Sequence, residues 1–359
     1  MAERVLLGMS GGIDSSAAAS LLKEQGYEPI GATFVISPYS EKRLFHKGAQ
    51  KASEVCQKLG IEHITLEIDD FEDEVVKPFV ESYLNGETPN PCIICNRRIK
   101  FKHLFREAEK RNIVKIATGH YARVAYNSKT DRFELFKGID SSKDQSYFLW
   151  QLPQKYLSKI VFPLGNITKF EVSKYIDKNG LIDRETGESQ DICFIPKGDY
   201  RNFLEKYKPQ VVENMKKGKI VNPDGQVLSN HNGFYNFTIG QRKGFHVDSP
   251  GKYYVKSIDP HHNRITVTPN KDLFSETMVI KDCNWVSQKE QDKIEGTLKP
   301  RYRSKGAKCL AIRLNKGNYK IEFQKKQRAL TPGQSAVLYR GEKVVFGGII
   351  SKNKGKLDG

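Results

Sequence analysis

The segment that most narrows the folds open to this 359-residue chain is Gly8-Met9-Ser10-Gly11-Gly12-Ile13-Asp14-Ser15-Ser16. Before it, residues 4–9 form an apolar run that reads as a strand. After it, residues 15–25 set Ala17, Ala18, Leu21 and Leu22 on one helical face, and Gly26 stops the helix. A strand that turns through two adjacent glycines into a helix leaves the first N–H groups of that helix unpaired and aimed at whatever approaches the turn. Gly11 and Gly12 permit the close approach of a phosphate, Ser10, Ser15 and Ser16 add hydroxyl donors, and Asp14 is suited to orient the loop or to hold Mg²⁺. The pattern has neither the lysine of a Walker loop nor the glycine spacing of a dinucleotide fingerprint. The plainer alternative is a Gly/Ser-rich turn capping a helix; the strand before, the helix after and the intact Ser-Gly-Gly-x-Asp-Ser run favour a phosphate loop.

Alternation continues beyond the loop. Strand patterns over residues 29–36, 64–68 and 114–118 are interleaved with helical patterns over 47–59, 71–84 and 97–111. Thr168 and Glu171 make a capping box for a helix that stops at Gly180. This order predicts an α/β domain with a doubly wound, Rossmann-like parallel sheet. After about Tyr200 the character changes, with a linking helix over 200–207 and then Gly- and Asn-rich turns at 222–225 and 230–233. Beyond Val279, short β-rich runs at 307–314, 319–323, 336–339 and 344–350 are separated by turn signals, as in a small antiparallel β-barrel. The expected organisation is a catalytic domain over residues 1–200, a small central domain over 201–275 and a C-terminal barrel over 276–359.

Charge points toward a polyanion. Of the formal net charge of +17, most lies between Lys281 and Gly359, where 19 lysines and arginines face 7 aspartates and glutamates. Basic clusters bind phosphate backbones by releasing counterions, although a merely solubilising surface would have the same composition. No apolar run approaches the roughly 20 residues needed to span a membrane, and the first residues lack the features of a signal peptide, so a cytoplasmic location is expected. Six cysteines spread over a chain of this length suggest thiols, not a disulfide framework.

Two cysteine contexts stand out. Thr88-Pro89-Asn90-Pro91-Cys92-Ile93-Ile94-Cys95-Asn96 is a proline-braced loop leading into the helix expected from Arg97, with Arg98 and Lys100 close behind. A helix start and positive neighbours both favour a thiolate at Cys95. Ser189-Gln190-Asp191-Ile192-Cys193-Phe194-Ile195 places Cys193 in a short apolar run that could fold back over a site. Cys92-x-x-Cys95 could instead be half a zinc site or a local redox dithiol, and Cys193 alone could be a small buried hydrophobe.

The loop resembles the PP-loop of ATP pyrophosphatases, which activate an oxygen by adenylation and release pyrophosphate. Over nearly its whole length the chain resembles the tRNA-specific 2-thiouridylases of bacteria and organelles. The resemblance rests on GMSGGIDSS at 8–16, TPNP followed by CN and IKF at 88–101, ATGHYAR at 117–123, SSKDQSYFL at 141–149, SQDICFIP at 189–196, TIGQRKG at 238–244 and TPGQSAVLY at 331–339.

It implies ATP-dependent 2-thiolation of the wobble uridine of tRNA, with ATP and Mg²⁺ as cofactors. Gly8, Met9, Ser10, Gly11, Gly12, Ile13, Asp14, Ser15, Phe34 and Gly119 would contact ATP. Cys95 would be the nucleophile, Cys193 would carry the persulfide, and the two would form a transient disulfide. Asn90, Pro91, Cys92, His120, Lys143, Asp144, Gln145, Arg301, Tyr302 and Gln334 would contact the tRNA. The implied partners are the tRNAs for Lys, Glu and Gln and a persulfide-carrying sulfur donor protein. The chain departs from the family's pattern at Cys92, where an aspartate is common, and over residues 37–47. A PP-loop ligase that forms an amide and a basic RNA-binding module without chemistry are the alternatives of other kinds.

Overall fold

In the computed structural model, which describes residues 2–36, 42–182, 192–195, 198–247, 250–315 and 317–352 (side chains of 42–47 excepted), the strand and helix signals of the first half become a five-stranded parallel sheet. In chain order its elements are β1 (Glu3–Gly8), α1 (Ile13–Glu24), β2 (Tyr27–Ile36), α2 (Lys42–Leu59), β3 (His63–Ile68), α3 (Lys77–Leu84), α4 (Pro91–Cys95), α5 (Lys102–Lys110), β4 (Lys115–Thr118), the hairpin β5 (Ala122–Asn127) and β6 (Arg132–Lys137), α6 (Gln154–Leu157), β7 (Ile160–Val161) and α7 (Lys169–Asn179). The sheet order is β3-β2-β1-β4-β7, and every pair is parallel. Ligands of such sheets bind beyond the carboxyl ends of the strands, where the order reverses. Here that point lies between β1 and β4, where Gly8 pairs with Thr118.

The alternation within β1 explains the layering. Val5, Leu7 and Met9 turn to one face and pack with Ala17, Ala18 and Leu22 of α1, Ala52 and Val55 of α2 and Val172 and Ile176 of α7. Leu6 turns to the other, joining Ile30, Ala32 and Ile116 against Leu104, Phe105 and Ala108 of α5. The capping box at Thr168 and Glu171 forms as expected, and Gly180 ends α7 at φ +58°.

After α8 (Tyr200–Tyr207) and α9 (Pro209–Asn214), four strands make a central sheet: β8 (Lys216–Val221), β9 (Val227–Asn232), β10 (Tyr253–Asp259) and β11 (Arg264–Pro269), ordered β10-β11-β8-β9. The third unit comprises β12 (Phe274–Trp285), β13 (Lys293–Lys299), β14 (Ala307–Asn315), β15 (Asn318–Arg328), β16 (Ser335–Arg340) and β17 (Lys343–Ile350). These six strands run β12-β15-β14-β13-β16-β17 and close through β12–β17, so the small antiparallel barrel is present. One connection was not foreseen: the β5–β6 hairpin joins the barrel sheet, with Val344 opposite Leu135. No helix among the described residues is long and apolar enough to cross a membrane.

Candidate active site

Backbone geometry shapes the phosphate loop. Gly11 sits at φ +74°, and a Cβ there would lie 2.5 Å from the Gly48 carbonyl oxygen, so only glycine fits. Gly119, just past β4, approaches so closely that a Cβ would stand 3.0 Å from the Asp14 carbonyl carbon. The serines act differently from one another. Ser15 Oγ donates to the Gly12 carbonyl at 3.1 Å and accepts the Ser10 N–H at 3.2 Å; Ser16 is fully buried and donates to the same carbonyl at 3.0 Å. The Ser15 and Ser16 hydroxyls, expected from the sequence as donors to a phosphate, here both donate to the Gly12 carbonyl and hold the loop's shape. Met9 and Ile13 turn their side chains into the core, Met9 with its Sδ 3.3 Å from Cys56 Sγ. Phe34 lies near the carboxyl end of β2, partly buried between two apolar clusters.

Asp14 is anchored from two sides. Tyr121 Oη donates to its Oδ1 at 2.7 Å, and Lys169 Nζ reaches the same oxygen at 2.7 Å. Neither partner was singled out from sequence, although Tyr121 stands inside the Gly119-His120 motif. Among the described residues, no group of three or more His, Cys, Asp or Glu is placed to hold a metal ion, so the zinc alternative finds no support there.

The helix carrying the first cysteines begins earlier than expected, at Pro91, and runs through a π-helical turn (Asn96–Phe101) into α5. Cys92, not Cys95, therefore sits in its first turn. Cys95 is buried, and burial pushes its thiol up to about 12, with Lys100 pulling the other way and Cys193 and Cys92 adding to the rise. The expectation of a helix-start thiolate is corrected: desolvation outweighs the positive neighbours. Cys92 and Cys193 are exposed as residues, yet protein crowding their sulfurs raises both thiols too, again opposed by Lys100. All six cysteines are free thiols.

Packing explains how Cys193 comes within electrostatic reach of Cys95 across nearly a hundred residues. Phe194 and Ile195 are buried in the same apolar cluster as Cys95 and Ile99. The Phe194 ring meets Phe71, Phe79 and Phe203 edge-on at 5.6, 5.4 and 5.6 Å. Two buried side chains thus pin the segment that displays Cys193. Ser189, Gln190, Asp191 and Pro196 of the same motif lie outside the described residues.

The expected tRNA-contacting residues gather from three parts of the chain. His120 follows β4, stacked on Phe101 at 6.0 Å, with its Nδ1 2.8 Å from Thr118 Oγ1. Burial, aided by the Lys100 charge, lowers its pKa to about 3. Asp144 is buried and accepts the Ser146 N–H at 3.0 Å; Lys143 is half-buried beside it. Gln145 uses its Oε1 to accept the Tyr121 N–H at 3.0 Å, which braces the loop holding Asp14. From the barrel, Tyr302 lies against Phe148 at 4.5 Å, with exposed Arg301 beside it. Asn90 is the N-cap of α4 and Pro91 its first residue. Gln334 donates through Nε2 to the Thr88 carbonyl at 2.7 Å, so the barrel grips the Thr88–Pro91 segment directly. Thr88 also reaches Thr238 of the central unit at 3.4 Å. Asn96, the second residue of the CN motif, was given no role from sequence; its Nδ2 donates to the Phe148 carbonyl at 3.2 Å.

A phosphate loop at the switch point of a doubly wound sheet, in one chain with free cysteines near one another and a basic barrel, is the arrangement of a nucleotide-using enzyme. Comparison with known proteins narrows the class. Residues 3–197 match the tRNA methyl transferase HUP domain, residues 201–269 the tRNA methyl transferase PRC-barrel domain and residues 275–350 the aminomethyltransferase beta-barrel domain. The chain is 42% identical to the tRNA-specific 2-thiouridylase MnmA 1 of Caldanaerobacter subterraneus subsp. tengcongensis, over 97% of this chain and 98% of that one. It is 40% identical to the tRNA-specific 2-thiouridylase MnmA of Halothermothrix orenii, over 98% and 99%. A solved 4-thiouridine synthetase–RNA complex with bound ATP matches at 18% identity and a TM-score of 0.39, over 58% of this chain and 51% of that one. The chain belongs to the tRNA-specific 2-thiouridylase family.

Proposed function

We propose that this protein thiolates tRNA, replacing the C2 oxygen of the wobble uridine with sulfur at the expense of ATP. The observation that carries the reading is the placement of Cys193 beside Cys95 by the buried Phe194 and Ile195, in a domain that also holds the phosphate loop. The C2 oxygen of a uridine is a poor leaving group; transfer of AMP to it makes it a good one, and the loop over Gly8–Ser15 receives the pyrophosphate that departs. Gly119 and Phe34 border the same nucleotide.

Asp14, bonded to Tyr121 and Lys169, is the one carboxylate of the loop and the residue that would hold Mg²⁺ there. When bound it would neutralise phosphate charge, with Asp14 as the nearby carboxylate. The chain's own residues do the rest. A sulfur donor protein loads Cys193 with a persulfide. Either that persulfide attacks C2, expels AMP, and Cys95 then breaks the S–S bond to free the thiolated base, or Cys95 attacks the persulfide first and releases sulfide, which attacks C2. Both routes oxidise two thiols to a Cys95–Cys193 disulfide, which an external thiol must reduce before the next cycle.

The uridine must leave its stack to reach these sulfurs, which suits an anticodon-loop base. Asn90, Pro91, Cys92, His120, Lys143, Asp144, Gln145, Arg301, Tyr302 and Gln334 line the approach, and tRNAs for Lys, Glu and Gln in the cytoplasm are the proposed substrates. The test is mass spectrometry of tRNA nucleosides after incubation with ATP, Mg²⁺ and a persulfide donor. The native protein should yield 2-thiouridine; Cys95→Ser and Cys193→Ser should each abolish it while leaving tRNA binding intact. Full activity in either variant would sink the two-cysteine chemistry.

A further inference from the structure

Three basic side chains follow Cys95, and the structure separates their tasks. Arg98 is spoken for: its Nη1 pairs with Glu74 at 2.8 Å. Arg97 is exposed to solvent. Lys100 is half-buried, and among the described residues no carboxylate or carbonyl holds its ammonium. Its position follows from the helix. In an α-helix the residue five positions after Cys95 would point well away from it, about 140° around the axis at 3.6 residues per turn. The π-helical turn over Asn96–Phe101, bonded i→i+5, brings residues five apart much nearer to each other around the axis, so Lys100 returns toward the side that carries Cys95. Cys92, three residues before Cys95, shares that side. The neighbouring ring of Phe101 stacks on His120, which brings the end of β4 to the same place.

We propose that Lys100 is the positioning cation of the sulfur site, the positive charge that, among the described residues, stabilises the reacting sulfurs as anions when they form. This assignment rests on the thiolation reading above. The ammonium lies close enough to Cys92, Cys95, Cys193 and His120 to act on the ionisation of all four, and in each case it opposes protonation. Among the described residues, the titratable groups on which it acts are these three thiols and one neutral imidazole. The nearest acid of the adjoining loop, Asp144, acts on Lys299, Tyr302 and Tyr339 instead. A persulfide or thiolate formed at these cysteines therefore has Lys100 as its counter-ion among the described residues. The π-turn, which gains nothing for the helix itself, has a function in delivering that counter-ion.

The test follows thiol reactivity as a function of pH in the full-length protein, without tRNA. Iodoacetamide labelling of the peptides carrying Cys92, Cys95 and Cys193 is measured by mass spectrometry between pH 6 and 10 in the native protein, Lys100→Met and Lys100→Arg. Loss of a neighbouring charge worth about one pKa unit lowers the thiolate fraction about tenfold at fixed pH. Lys100→Met should therefore label about tenfold more slowly at pH 8, with its profile displaced to higher pH, while Lys100→Arg follows the native profile. An unshifted profile in Lys100→Met, or an equal displacement in Lys100→Arg, would overturn the assignment. Because no tRNA, ATP or sulfur donor takes part, this result stands apart from whether the native protein makes 2-thiouridine.

Discussion

His120 shows how strongly a single residue's role depends on its surroundings. An exposed histidine is half a cation at about pH 6.5 and a natural partner for a phosphate. Burial of the ring, reinforced by the Lys100 charge, brings the pKa down to about 3, while Thr118 Oγ1 fixes Nδ1 at 2.8 Å. The imidazole is thus neutral under all ordinary conditions, and any contact it makes with a base is a hydrogen bond between neutral groups. The sign for stability follows. The folded value lies below the unfolded 6.5, so between the two the unfolded chain binds the extra proton, and acidification from about pH 6.5 downward weakens the fold. NMR of the His120 ring should show no titration between pH 8 and pH 5. A midpoint near 6.5 would contradict the neutral assignment. Nothing in the sequence pointed to this, since Lys100 and His120 are twenty positions apart and only the fold brings them together.

At the scale of elements, what could be read early and what could not divides by the range of the interaction. The phosphate loop, the capping box at Thr168 and the stop at Gly180 depend on neighbours within a few residues, and each is present. The earlier start of the Cys92–Cys95 helix was concealed because Pro91, which normally signals an interruption, serves here as a favourable first helical residue. The π-turn has no local signature at all. The grip of the barrel on the cysteine segment is likewise long-range: Gln334 Nε2 donates to the Thr88 carbonyl at 2.7 Å, and Thr88 N–H donates to the Pro332 carbonyl at 2.9 Å. Gln334 was expected among the tRNA contacts; its amide nitrogen also braces the segment leading to Cys92 and Cys95. Gln334→Ala removes a hydrogen bond worth about 1 kcal/mol, which corresponds to about fivefold faster amide exchange where local opening governs it. Hydrogen exchange of the peptide covering residues 86–95 should accelerate by that factor with ATP affinity unchanged. Native protection there would assign Gln334 to the tRNA alone.

Considered as a whole, the molecule does not come apart where its charge does. The basic residues are concentrated beyond Lys281, which invites removal of that tail as a test of the polyanion grip. Yet Val337, Tyr339 and Val344 of the barrel are buried in one cluster with Trp150, Leu149 and Tyr147 of the first half. Trp150 Nε1 donates to Ser335 Oγ at 3.1 Å, Tyr147 Oη to the Ser335 carbonyl at 2.6 Å, and Asn284 Nδ2 to the Trp150 carbonyl at 2.7 Å. The β6 strand also loses its β17 partner if the tail goes. A chain ending at Leu273 would expose an aromatic cluster whose members are now fully buried, each worth about 1.5–3 kcal/mol or more on burial. It should therefore aggregate, or melt well below the full chain by calorimetry; a soluble truncation melting with the native midpoint would refute the shared core. The electrostatic grip is better separated from the fold by changing surface charge in the full chain. Arg301→Ala leaves that core untouched, and if Arg301 meets a phosphate, the slope of log Kd for tRNA against log salt should fall by about one.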